Sequence, residues 1–316
     1  MSLVPFQLPE GCSVLVAGAG GGYDFVCGLP IALELESRGH PVHLANYSFT
    51  ELSAVSNARW HSEHLLEVGA DASSAKDYFP EQLLADWYRK SKKQERPVWC
   101  FGMHGVVPTR DSYRYLVQRL GIHAVVCVDG GIDGIFRGDE TDLGTPSMDT
   151  VSVMAAHLSG APVRVYATTA FGVEGAEGTV SHAQALHRMA ELMHQNAALG
   201  AGLLHPGESA GAQFLDAVKF MTRRLPDGRQ STMVGSLAAA AQGAYGPTVV
   251  NHKTGQRPPW LSPLTSLFWY FQADAVARLK LCYEDILETR TVVEVGKAFE
   301  AVRSTQGIRP YESIPI

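Results

Sequence analysis

Short apolar segments alternate with amphipathic segments along the first 172 residues. The apolar segments have the length of buried strands and cover residues 13–17, 41–47, 97–102, 122–128 and 161–172. Between them, apolar residues recur at helical spacing over residues 24–39, 80–94, 109–122 and 148–158. This alternation predicts an α/β protein: a Rossmann-like parallel sheet with flanking helices.

Helical spacing dominates after residue 172. Further helices are predicted at 181–200, 209–223, 231–242 and 273–304. Residues 249–263 are predicted to form an irregular loop, 264–271 either a strand or the start of a helix, and the last residues an extended segment packed on the body. We therefore expect a mostly helical C-terminal part and one α/β domain over 1–316. Two sub-lobes, 1–172 and 173–316, are the alternative.

The glycine loop at 18–24, GAGGGYD, lies between the first predicted strand and helix. Glycines let the backbone turn sharply and let a ligand approach the amides, and a helix N-terminus favours phosphate. Four glycines are therefore candidates for holding a phosphate or ribose: Gly18, Gly20, Gly21 and Gly22.

The same loop departs from the dinucleotide fingerprint. That fingerprint has a third glycine one place later, where this chain has Tyr23, and an acid after the second strand. Here the second strand ends at Asn46 and Tyr47. An ordinary NAD-dependent dehydrogenase is therefore disfavoured, and no phosphate-binding loop with a lysine is present.

Asp24 is placed in the first turn of the predicted helix, where it would repel a bare phosphate. Three interpretations remain open. The carboxylate interacts favourably with the helix dipole, binds a metal ion that in turn binds phosphate, or binds a hydroxyl or cationic group of a ligand.

The segment 129–149 follows the apolar strand 122–128 and is rich in acids and glycines. Only Arg137 opposes its six acidic residues, which are Asp129, Asp133, Asp139, Glu140, Asp142 and Asp149. Carboxylates at this density suit Mg²⁺ or Mn²⁺, which take oxygen ligands. We expect Asp24, Asp129 and Asp133 to bind the metal or act in catalysis, with Asp139 and Glu140 as supporting ligand-binding groups.

Several of these acids also have structural interpretations. Asp142 is typical of a solvated turn, and Asp149 of a residue that caps the following helix. Other candidates for ligand contact are Thr145, Glu174, Glu177, His104 and His182, all of which follow predicted strands or begin helices at the same edge. No G-x-S-x-G motif is present, which disfavours an α/β-hydrolase.

Composition narrows the classes of partner. A net charge of −6 gives no basic surface for nucleic acid. Five unpaired cysteines without metal-binding spacing are typical of a reducing compartment. The N-terminus lacks the pattern of a signal peptide, and no apolar run approaches a membrane span. We expect a cytoplasmic protein that acts on a small molecule, with a homo-oligomer possible.

The motifs together resemble a known family. GAGGGYD at 18–24, VDGGIDGIFRGDETDLGTPSMD at 128–149, SHAQAL at 181–186, SPLTSLFWYF at 262–271 and the IRPYESIPI end are similar, in order, to an uncharacterised Rossmann-like family found in archaea, bacteria and plants. The resemblance implies a single α/β domain with a site between the glycine loop and the acidic segment. It implies no activity.

The sequence thus predicts a small-molecule enzyme, a hydrolase or transferase that is metal-dependent or metal-free, acting on a phosphorylated or nucleotide-like metabolite. The alternatives are a non-catalytic nucleotide- or metabolite-binding protein and a metal-free enzyme that grips a polar metabolite with Asp129 and Asp133.

Overall fold

The computed structural model describes residues 2–174, 180–226 and 228–314. Within these ranges, nine strands form one sheet. They are β1 (Ser13–Ala19), β2 (Val42–Tyr47), β3 (Arg59–Ser62), β4 (Leu65–Val68), β5 (Val98–Phe101), β6 (Ile122–Asp129), β7 (Val163–Thr168), β8 (Ala198–Leu203) and β9 (Leu267–Gln272). Their order across the sheet is β8-β9-β7-β6-β1-β2-β5-β4-β3.

The five central strands, from β7 to β5, are parallel, and each edge carries two antiparallel strands. The predicted Rossmann-like α/β fold is confirmed. The prediction missed three outer strands. β3 and β4 lie within 48–79, a mixed polar stretch for which no strand was predicted, and β8 begins inside the helix predicted over 181–200. The last, ALGAGL, is glycine-containing and largely exposed, so it carries little of the apolar alternation that marks a strand.

Eleven helices flank this sheet in the described ranges. They are α1 (Asp24–Cys27), α2 (Leu29–Ser37), α3 (Pro80–Trp87), α4 (Val106–Leu120), α5 (Pro146–His157), α6 (His182–His194), α7 (Ser209–Thr222), α8 (Thr232–Ala241), α9 (Ala273–Leu279), α10 (Tyr283–Ile286) and α11 (Val292–Gln306). The single helix predicted over 24–39 is two pieces that meet at Gly28. A Cβ there would lie 3.0 Å from Val16 and 3.1 Å from Val128, so glycine permits close packing on the strands.

Alternate residues of the strands supply two separate cores. Leu15 and Ala17 of β1 face the layer containing α4, α5, α9 and α11. Val14 and Val16 face the opposite layer, with α2, α3, α7 and α8. Because side chains alternate across a strand, a parallel sheet buried on both faces needs near-continuous apolar strands. This explains why β1 and β6 were predicted correctly from their apolar runs.

The chain reverses its direction across the sheet between β1 and β6. From β1 it proceeds through β2 towards β5, and it then returns to form β6 and β7 on the other side. The two strand ends are neighbours, with Ala19 paired to Asp129. Open α/β sheets bind ligands in the crevice outside such a reversal, so the fold itself indicates where a site would lie.

The C-terminal segment is extended and lies on the loop that follows β6. The Arg309 amide donates to the Asp139 carbonyl at 2.7 Å, and Thr141 donates to the Arg309 carbonyl at 2.9 Å. The side chains of Ser181 and Gln184 donate to the carbonyls of Glu312 and Pro310. This segment therefore fixes the acidic loop from outside. Among the described helices, none is long and apolar enough to cross a bilayer.

Candidate functional site

Three carboxylates from three elements meet at the crevice. Asp24 begins α1, Asp129 ends β6, and Asp149 lies in the first turn of α5. One oxygen from each lies within 4.8 Å of the other two, a spacing that could hold a metal ion. Asp129 and Asp149 are each 2% exposed, whereas Asp24 is half-buried. Asp24 is therefore the most accessible of the three carboxylates.

Asp133 and Glu174 line the same pocket as the three clustered carboxylates. Asp133 is 3% exposed and accepts hydrogen bonds from the Thr145 amide at 2.7 Å and its hydroxyl at 3.4 Å. Glu174 accepts from the Ile132 amide at 2.6 Å. Other parts of the pocket wall are Gly20, Gly21, Gly130, Gly131, Phe49 and Met233. Five carboxyl groups thus share one small pocket.

Asp129 is the most firmly held of the five. Its Oδ1 accepts from the Gly131 amide at 2.7 Å, and its Oδ2 accepts from the Gly134 amide at 3.0 Å and the Tyr166 hydroxyl at 2.6 Å. Each carboxylate oxygen can accept two hydrogen bonds, so Oδ2 is saturated and Oδ1 retains one lone pair. That lone pair is available to a cation or a ligand hydroxyl.

Burial and the charges of neighbouring carboxylates raise the pKa of Asp24, Asp129, Asp149 and Glu174. The pKa of Asp129 is raised to about 7, mainly by desolvation and then by the charge of Asp133, and the hydrogen bond from Tyr166 opposes this shift. Desolvation, followed by the charges of neighbouring carboxylates, raises the pKa of Asp24, Asp149 and Glu174 well above the ordinary range. A bound cation would reverse this effect, because it favours the ionised form of each ligand.

Glycines make the convergence of carboxylates possible. A Cβ on Gly20 would lie 1.7 Å from Asp149 Oδ1 and 2.9 Å from Asp24 Oδ2. A Cβ on Gly130 would lie 2.6 Å from Asp24 Oδ1, and one on Gly144 would lie 1.9 Å from Asp133 Oδ2. The glycines of the two motifs therefore leave the space that the carboxylate oxygens occupy.

We expect Gly20→Ala to disrupt the cluster and Gly39→Ala to leave it intact. Both glycines have a positive φ, +89° and +86°, but a Cβ on Gly39 meets nothing within 4 Å. The backbone strain is therefore matched, and only Gly20→Ala displaces Asp149. Chemical denaturation of both variants should show a larger loss of stability for Gly20→Ala, by about 1–3 kcal/mol. Equal losses would contradict the packing described here.

A buried lysine lies beneath the acidic loop. Lys280 is 4% exposed and donates to the carbonyls of Gly134 at 2.7 Å and Phe136 at 2.6 Å. Desolvation lowers the pKa of its ammonium group, and the charges of Asp149 and Glu140 oppose that shift. Lys280 thus supplies the cluster with a positive charge from the protein itself.

Asp139 and Glu140 shape the loop and lie away from the pocket. Asp139 accepts from Arg309 Nε at 2.8 Å. Glu140 is fully buried, accepts from the amides of Arg137 and Gly138, and lies 3.7 Å from Arg188. These contacts account for both carboxylates as fixed parts of the loop.

The candidate histidines lie outside the carboxylate pocket. His104 Nε2 lies 3.0 Å from His64 Nδ1, and desolvation lowers its pKa. His182 packs on the ring of Phe171, with centroids 4.9 Å apart. Glu177 lies outside the described residues.

The glycine loop is close to the cluster, but its amides are partly engaged within the protein. The Gly20 amide lies 3.4 Å from Ser152 Oγ, and the Gly21 amide donates to the Asp24 carboxylate. Gly20 and Gly21 line the carboxylate pocket, and Gly22 lines the adjoining cleft. Gly18 lies beneath the loop, where a Cβ would be 2.6 Å from the Phe25 amide nitrogen.

Basic side chains line the cleft that extends from this pocket. Lys253 lines both the arm next to Gly22 and the arm next to Glu174, Arg229 lines the first arm, and Arg257 lines the second. All three are exposed. The cleft thus pairs an acidic floor with a basic rim. These cations lie in segments without strand or helix periodicity, so the pattern of the sequence gave no reason to single them out.

An α/β sheet with a carboxylate cluster at the reversal between β1 and β6 defines a Rossmann-like protein with a candidate small-molecule site. The chain belongs to the family described as protein of unknown function DUF1152, whose model matches residues 15–308. No curated protein and no solved structure matches the chain.

Proposed function

We propose that the protein is a divalent-cation-dependent enzyme that hydrolyses or transfers a group of a phosphorylated or nucleotide-like metabolite. The observation that carries this proposal is the approach of Asp24, Asp129 and Asp149 to within 4.8 Å through one oxygen each. Such a set of hard oxygen ligands suits Mg²⁺ or Mn²⁺.

The division of charge along the cleft supports a phosphorylated substrate. A cation on the acidic floor would bind phosphate oxygens directly, and Lys253 and Arg257 would neutralise the outer oxygens. Without a cation, any of the five carboxyl groups that ionised would repel a phosphate. The cation and the basic rim are therefore both needed for the same ligand.

Glu174 is suited to proton transfer beside the cation, and its neighbour Asp133 is suited to positioning the loop. They line the pocket next to the three proposed ligands, and burial raises the pKa of Glu174 well above its ordinary range. A raised pKa makes the ionised carboxylate a stronger base, and a bound cation would favour that ionised form, so Glu174 could then take a proton from an attacking water. In this proposal Asp133 orients Thr145 and the loop, and Glu174 is the general base.

The native protein is expected to bind Mn²⁺, and Asp149→Asn is expected to reduce the affinity at least about tenfold. Isothermal titration calorimetry measures both, with Asp111→Asn as the matched control because Asp111 is exposed on α4. A screen of phosphorylated metabolites with and without Mn²⁺ then tests for turnover.

Two outcomes would redirect the proposal. Absence of Mn²⁺ binding to the native protein would favour a metal-free site in which Asp129 and Asp133 grip a polar metabolite. Hydrogen bonds from the Gly131 and Gly134 amides and the Tyr166 hydroxyl already hold the Asp129 carboxylate in position for that role. Binding of Mn²⁺ and nucleotide without turnover would favour a non-catalytic binding protein.

A further inference from the structure

We propose that the cleft arm next to the glycine loop is a base-binding subsite, so that the substrate is a nucleotide. This inference rests on the proposed function and adds the part of the ligand that lies away from the phosphate. The arm adjoins the carboxylate pocket, and Gly21, Asp24, Phe49 and Met233 line both.

Phe49 is the central feature of this arm. The ring lies against the glycine loop, since a Cβ on Gly21 would be 2.3 Å from Phe49 Cε1. Even so, the residue is 40% exposed within a cleft. A large aromatic side chain that is supported by backbone on one side and open on another provides a surface for stacking a planar ring.

Two tyrosines extend the aromatic wall. Tyr23 and Tyr78 pack edge to face, with ring centroids 5.7 Å apart, and both line the same arm as Phe49. The Tyr23 hydroxyl donates to the Arg229 carbonyl at 3.0 Å, so the aromatic wall also positions the backbone of a basic residue. Aromatic and cationic groups therefore converge in this arm.

Polar groups suited to the edge of a base line the same arm as the aromatic wall. Gln230, Ser231 and Thr232 line the arm at the start of α8. Ser231 already caps that helix by accepting from the Val234 amide. The Gln230 amide offers both donors and acceptors, which is the chemistry of the edge of a nucleobase. A phosphate on the acidic floor and a base on Phe49 would therefore occupy adjacent parts of one cleft.

The test compares AMP with ribose 5-phosphate, each titrated into the Mn²⁺-loaded full chain by calorimetry. Both probes carry the same phosphate and sugar, so their ratio of affinities reports the base alone. AMP is expected to bind about tenfold or more tightly, because one stacked base contributes roughly 1–3 kcal/mol. Phe49→Ala should reduce the ratio to about one, and Phe49→Tyr should retain it.

The ratio of the two affinities remains informative if Phe49→Ala disturbs the glycine loop, because such damage weakens the binding of both probes. A ratio near one in the native protein, or an unchanged ratio in Phe49→Ala, would overturn the base-binding subsite. Failure of both probes to bind a chain that still binds Mn²⁺ would also overturn it. Failure of Mn²⁺ itself to bind would instead count against the proposed function.

Discussion

At pH 8 and without divalent cations, Asp149→Asn is expected to unfold at a higher temperature than the native protein. Burial and the charges of its neighbours raise the pKa of Asp149 well above the ordinary range in the folded state. A carboxyl group with a raised folded-state pKa stabilises the protein below its unfolded-state pKa, and this contribution is lost as pH rises through the folded-state value. Asparagine removes that loss because it never ionises.

The advantage of the variant should therefore grow with pH. Between the unfolded- and folded-state pKa values, each pH unit contributes at most about 1.4 kcal/mol to the difference. Thermal unfolding of both proteins from pH 5 to pH 8 in EDTA measures this slope. Adding Mn²⁺ at pH 8 should then stabilise the native protein more than the variant. The difference between their unfolding temperatures should shrink or change sign. A difference that stays constant with pH would refute the electrostatic account.

Lys280→Met is expected to destabilise the protein by about 3 kcal/mol or more, because the substitution removes a buried cation from a cluster of buried acids. The Gly134 and Phe136 carbonyls would also lose their donor. Urea denaturation measures the loss, and Lys297→Met, on the exposed face of α11, is the matched control. Equal losses in the two variants would show that the buried ammonium group does not stabilise the loop.

A double variant, Lys280→Met with Asp149→Asn, identifies which partner of Lys280 accounts for its effect on stability. If its charge mainly offsets that of Asp149, then Lys280→Met should cost less in the Asp149→Asn background than in the native one. The coupling between charged residues in one network is typically about 0.5–3 kcal/mol, which denaturation curves resolve. Additive effects of the two substitutions would indicate that the two carbonyls, and not the carboxylate, are the important partners of Lys280.

The sequence indicated the crevice because its two walls follow two strongly apolar central strands, β1 and β6. An apolar run followed by DGG or GAGGG marks a strand end, and strand ends at a chain reversal are neighbours. The edge strand β8 escaped prediction because ALGAGL contains two glycines and is largely exposed, which leaves little apolar alternation. The central fold was therefore accessible from the residues, and the periphery was not.

Within the pocket, the sequence pattern predicted functional roles for Asp24, Asp129 and Asp133. It left two interpretations of Asp149, as a helix cap and as a member of the acidic segment. An acid near the start of a helix is typical of capping, and nothing in a linear pattern shows that its side chain turns towards a glycine loop more than a hundred residues earlier. No sequence pattern marked Lys280 as part of the site, because a lysine in a helical segment is ordinarily solvated. Both assignments depend on tertiary contacts.

The C-terminal contact with the acidic loop has a consequence for the order of folding. Arg309 and Asp139, which form an ion pair, are 170 residues apart in the sequence. During synthesis the central strands and the glycine loop emerge long before this partner does. The contacts that Arg309 makes with the loop carrying Asp133 and Glu140 can form only after residue 309 has left the ribosome, so the central strands can pair before this loop is fixed.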